Sequence, residues 1–219
     1  MLNYHGVWAT RIGQSITCIT LPAFELAQKA VALDDSLPQA HMVLSRAYLA
    51  KKQLEQAIAE AERAITLDPN DADGYAHLAA ILNNMGKPQE AIKLVEKAMR
   101  LNPYYPWGYL YPLGFAYAAT GWIEEAIATF RRGLTRNPDF QPAHLLLAAI
   151  YSGSGREAEA RAEAAEVLRI SPNFSLEVAR QTLPLTDQER IYRGTPASAF
   201  HGCSRKRTEV LSPSVIVGL

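Results

Sequence analysis

The chain has 219 residues, of which 48% are hydrophobic, and its 22 basic and 22 acidic side chains cancel to a formal charge of zero. There is no basic excess to hold a phosphate backbone and no apolar run long enough to span a bilayer, so the composition argues against nucleic-acid binding and a membrane span. Cys18 and Cys203 are too few and too far apart for a disulfide framework, and the absence of a basic segment followed by an apolar one at the start argues against secretion, so a cytoplasmic protein is expected.

Residues 1–20 contain Gly6, Thr10, Gly13, Thr17 and Thr20 without helical periodicity and are expected to be a poorly ordered lead-in. From residue 21 to 37 the spacing of Ala23, Ala27 and Ala30 predicts one helix without a clear partner before it. A proline-marked phrase then recurs at Asp68-Pro69-Asn70, Asn102-Pro103-Tyr104, Asn137-Pro138-Asp139 and Ser171-Pro172-Asn173, with gaps of 34, 35 and 34 residues between the prolines. A period of about 34 residues is one helix-turn-helix unit of a solenoid, which buries its apolar face only against its neighbours. Four full units follow at 38–71, 72–105, 106–140 and 141–174.

Aligned on the prolines, the first unit carries Leu44, Tyr48, Ala57, Ala61, Ala64 and Pro69, and the second Leu78, Leu82, Ala91, Val95, Ala98 and Pro103. The third gives Leu113, Gly114, Tyr117, Ala126, Phe130, Gly133 and Pro138, and the fourth Leu147, Tyr151, Ala160, Ala164, Val167 and Pro172. The second-helix residues recur at offsets of four and three and so share one face, where small side chains let helices approach closely. Gly86, Gly121 and Gly155 fall at the turn inside their units, where a left-handed backbone costs glycine little, whereas Lys52 at that place predicts a strained or differently shaped turn. Residues 175–192 are expected to form capping helices that cover the last unit, with Thr186 and Glu189 spaced as a capping box. Residues 193–219, with Arg205, Lys206 and Arg207, are expected to be a disordered tail.

This pattern resembles the tetratricopeptide repeat, whose signature has Leu-Gly and Tyr in its first helix, a small-residue ladder in its second and a closing Pro. The resemblance implies an all-α, right-handed superhelical solenoid of antiparallel helix pairs with a C-terminal capping helix. The runs at 102–110, 134–144 and 171–177 further resemble the C-terminal repeat region of bacterial adenylate/guanylate cyclases that carry such arrays.

No metal-binding, phosphate-loop or nucleophile motif is present, so no catalytic residue, metal or cofactor is expected. His41, His77 and His144 are scattered among the units and are expected to serve packing or surface. Ser152-Gly153-Ser154-Gly155 reads as a flexible corner.

The family resemblance implies a concave wall made by the first helix of each unit. On it Met42, Arg46, Asn83, Asn84, Tyr111 and Phe115 are the expected partner-binding residues: Arg46 to pair a carboxylate, the asparagines to bond an extended backbone, Tyr111 and Phe115 to project together as anchors. The aromatics crowded between Tyr104 and Trp122 have a second reading, a bulky contact between units, and Pro112 is expected to kink its helix. The clamp that chaperone-binding members use on a terminal carboxylate is absent, because Met42, Arg46, His77, Gly108 and Pro112 stand at its places. The expected function is a non-enzymatic scaffold or adaptor for a protein or peptide ligand. The alternative is a regulatory or self-association module of a bacterial nucleotide-cyclase system.

Overall fold

The computed structural model describes residues 16–174, and among these every regular element is a helix. In chain order they are α1 (Ile16–Leu33), α2 (Pro38–Ala50), α3 (Leu54–Leu67), α4 (Ala72–Asn84), α5 (Pro88–Leu101), α6 (Leu110–Thr120), α7 (Ile123–Arg136), α8 (Gln141–Gly153) and α9 (Glu157–Ile170), with one 3-10 turn at Trp107–Tyr109. Pairs α2/α3, α4/α5, α6/α7 and α8/α9 are the four repeats, each helix packed on the next, giving an all-α repeat solenoid. The expected capping helices at 175–192, the tail at 193–219 and Cys203 lie outside the described residues, as do residues 1–15 of the expected lead-in. The rest of that lead-in differs from expectation, since α1 already begins at Ile16. Phe24 anchors α1, its ring edge-on to Tyr48 of α2 and capped by the Lys51 ammonium 3.1 Å from its centroid.

Local chemistry explains where each helix stops. At the four turns inside the units an amide reaches back five residues, Gln53 to Tyr48, Lys87 to Leu82, Trp122 to Tyr117 and Arg156 to Tyr151, at 2.8–2.9 Å. This closure needs a left-handed residue just before the donor, and Gly86, Gly121 and Gly155 supply it with φ of 73°, 86° and 71°. Lys52 takes the same conformation at φ 61°, so the turn has the common shape and carries the strain. Lys52→Gly is therefore expected to raise the unfolding free energy by about 1 kcal/mol, the lower end of the cost of a left-handed residue with a Cβ. Urea denaturation checks it, and an unchanged or lower midpoint would refute the strain. At the outer corners Asp68 and Asn102 accept the amide two residues on, Asn70 and Tyr104, at 3.1 Å, the side-chain turn that makes an Asp/Asn-Pro phrase end one unit.

The ladder is the interior. Ala57, Ala61, Ala91, Val95, Ala98, Ala126, Ala164 and Val167 have no exposed surface, which is what close helix approach demands. Two hydrophobic clusters run along the array and meet on α6, where Leu113 and Ala116 face the first and Phe115 the second.

Pro112 does not kink α6, contrary to expectation. The segment after Pro106 takes a 3-10 turn and the α-helix opens only at Leu110, so Pro112 falls in its first turn, where a missing amide hydrogen costs no helical bond.

Candidate binding wall of the first helices

Side-chain hydrogen bonds link the first helices α2, α4 and α6. Asn83 of α4 donates through Nδ2 to the Pro112 carbonyl on α6 at 2.8 Å. Between α2 and α4 the link is Ser45 and His77. The buried Ser45 hydroxyl donates to the Ala57 carbonyl at 2.6 Å, which uses its only hydrogen. His77 must then donate its Nε2–H to Ser45 Oγ, 3.0 Å away, leaving Nδ1 as an acceptor. Burial first, and the nearby Arg46 guanidinium second, push the His77 pKa down to about 3, so the ring is neutral at physiological pH. This link was missed in the sequence, although a signal exists: Ser45 stands where the other units have Ala79, Gly114 and Ala148.

The six expected site residues separate into two groups. Met42, Asn83 and Phe115 are buried, 6%, 5% and 2% exposed. Met42 approaches Gly74 of α4, and Phe115 belongs to the cluster that includes Leu146 and Leu147 of α8. Phe115 therefore does not project as the anchor expected of it, and the Asn83 amide is spent on Pro112 instead of standing open to an extended backbone. Arg46 is exposed and, among the described residues, makes no ion pair or hydrogen bond. Asn84 is half-buried, its Nδ2 donating to the Ala80 carbonyl at 3.0 Å, and Tyr111 is half-buried as well.

Tyr111 and Phe115 therefore do not project as a pair. The Tyr111 ring lies edge-on to Phe140 with centroids 5.1 Å apart and tilted on Phe130 at 6.2 Å, while Trp107 covers Phe140 at 4.6 Å. Burial raises the Tyr111 pKa to about 12. These four rings all lie in the third unit and pack on one another there, so Tyr111 is spent on packing within the unit. The gap left among them measures about 10 Å³, room for one water and not for a ligand. Tyr104, 95% exposed on its corner, and Trp122, 54% exposed, are outside this packing.

Besides the half-buried Tyr111, the exposed or half-buried residues of these helices include Arg46, His77, Asn84, Ala50, Ala80 and Ala118. No group of three or more metal-ligating side chains occurs among the described residues, and no described helix is long and apolar enough to cross a membrane.

Comparison with known proteins agrees with this architecture. Tetratricopeptide repeat models match residues 46–86, 72–105 and 117–180, together more than half of the chain. The chain is 29% identical over 154 residues to the TPR repeat-containing protein YpiA of Bacillus subtilis, a match covering 69% of this chain and 35% of that one, so it spans about a third of that relative's length. Among solved structures it resembles PilW, a type IV pilus biogenesis factor, with a TM-score of 0.66, 19% identity and coverage of 87% and 91% of the two chains. It also resembles YrrB, a TPR protein with an unusual peptide-binding site, with a TM-score of 0.55, 21% identity and coverage of 77% and 87%. At these identities the structural likeness speaks for the fold. With the four Schellman-type turns, the buried ladder and the family matches in agreement, the chain belongs to the tetratricopeptide repeat family.

Proposed function

We infer that the chain is a non-enzymatic adaptor that holds a segment of a partner protein along the wall of α2, α4, α6 and α8. The observation that carries this reading is the unspent polar pair at α2 and α4. Arg46 is exposed without an ion pair among the described residues, and the neutral His77 beside it offers an acceptor nitrogen, so donor and acceptor stand together on a rigid surface. Small side chains around them leave room for a partner backbone to approach, and Asn84 adds an amide. Peptide binding by YrrB is consistent with such a use of the fold. Met42, Asn83, Tyr111 and Phe115 then act by shaping the wall.

The test begins with capture of partners from a lysate by the full chain, followed by calorimetry with the captured protein. Arg46→Glu is expected to weaken binding about tenfold, roughly 1.4 kcal/mol, with an unchanged far-UV spectrum. Unaltered affinity would overturn the assignment of the wall. The alternative, a self-association or regulatory module for a nucleotide cyclase, rests on the runs at 102–110, 134–144 and 171–177. Sedimentation of the purified chain alone tests its self-association arm.

A further inference from the structure

His41 and His144 hold the same place, fourth in the first and fourth units, and meet the same surroundings. Each ring is buried, 5% and 7% exposed. On one side Nδ1 lies 2.6 Å from the Oε2 of a glutamate nineteen residues on, Glu60 for His41 and Glu163 for His144. On the other, Nε2 lies 2.9 Å from a main-chain carbonyl of the preceding corner, that of Asp35 or of Pro138. Both neighbours are acceptors. A neutral imidazole has one N–H, so it would turn a lone pair on an oxygen at one of these short contacts, and two donated bonds require a second proton.

We propose that His144 is a proton-held latch, which in its protonated form ties the Pro138 corner, α8 and α9 together and on deprotonation releases the joint between the third and fourth units. The first unit repeats the geometry at His41 and Glu60. In the second unit Tyr75 reaches the equivalent carbonyl, that of Pro69, at 3.0 Å, but Leu94 stands where the glutamates stand, so the reach to the corner survives without the ion pair. In the third, Leu110 and Thr129 hold the two places and no latch is formed.

The charges around His144 favour the protonated form. Burial opposes its charge, and the bonds to Glu163 and the Pro138 carbonyl together with the charges of Glu163 and Glu166 outweigh burial, leaving the pKa above the ordinary histidine value. From α9 the ring is faced by Glu163 and Glu166, while Arg169 is spent on Asp139 of the corner at 2.6 Å and on Glu166 at 2.7 Å. From α7, Arg136 is turned away onto the Tyr105 carbonyl at 2.9 Å, and α8 itself has no charged residue. A folded pKa above the unfolded one means the latch contributes fully below the unfolded value, about 6.5, and is lost as pH rises through the folded one.

The experiment is a proton NMR titration of the five histidines in the full chain, with His144 assigned by the signal missing from His144→Asn. The expected result is a His144 midpoint above 6.5 that falls at least tenfold in proton affinity in Glu163→Gln. In parallel, the urea midpoint of the native chain should exceed that of His144→Asn at pH 6 and the difference should shrink by pH 9. A native midpoint at or below 6.5, or a difference that does not shrink, overturns the proposal. Should Glu163→Gln fail to fold, the native titration and the pH dependence of that difference decide it without that variant.

Discussion

Replacing Phe130 by alanine is expected to lower the unfolding free energy by about 3–5 kcal/mol, the usual cost of emptying a buried aromatic site. Phe130 is 2% exposed and sits on the ladder of α7 where the other units carry Ala61, Val95 and Ala164. The third unit is thus held apart by a ring where its neighbours are held by small groups. Tyr111 leans on that ring from α6, and the small gap already present among Trp107, Tyr111 and Phe140 shows that these rings do not close up completely around it. Removal of the ring enlarges an existing void, and partial collapse recovers little. Because a solenoid transmits stability only through adjacent units, the loss should also divide the array at α6, where the two hydrophobic clusters meet. Urea denaturation followed by far-UV circular dichroism would then show two transitions in place of one. A loss below about 1 kcal/mol, with a single transition, would mean that the third unit is not held by this ring.

Gly114→Ala is expected to be destabilising by about 1–3 kcal/mol, although alanine is the better helix former by about 1 kcal/mol. A Cβ on residue 114 would stand 2.9 Å from Phe130 Cε1 and 3.0 Å from Cδ1 and Cζ. Real carbon contacts do not come that close, and the buried ring can yield only toward the gap of about 10 Å³ beside Trp107 and Tyr111, too small to take the displacement without cost. The sign should reverse once the obstacle is gone: in a Phe130→Ala background, Gly114→Ala should stabilise, since only helix propensity and filled space remain. The four-member cycle of these variants, measured by urea denaturation, isolates the contact. A cost for Gly114→Ala that persists without the ring would place the constraint in the backbone of α6 instead.

The same pair of residues illustrates how much could be read from the chain. Gly114 and Phe130 were recognisable as a signature glycine and a ladder position, and their lying in one unit followed from the period. That the glycine exists for the ring did not follow, because it depends on which rotamer the ring takes between two helices. Lys52 was read as a strained or differently shaped turn, and the backbone decides for the first, since Lys52 takes the same left-handed conformation as the glycines. Met42, Asn83 and Phe115 were placed on the wall by their offsets in the family pattern. Their side chains nonetheless fill the seams between first helices, because a wall position faces both the open side and the next unit, and a medium or large side chain gains more by burial there. The shift of α6 to Leu110 turned on one inserted residue near Pro106, which converted Pro112 from a kink into a helix start.

The repeat length, the corners and the turns within each unit were written in the chain, because their bonds join residues two to five apart. Which groups on the wall stay open was settled only when the units stacked. Ser45 meets His77 across 32 residues, Asn83 meets Pro112 across 29 and Tyr109 meets Asp73 across 36. Each of these bonds joins one unit to the next, so it depends on how neighbouring helices rotate against each other, and no pattern inside one unit specifies that angle.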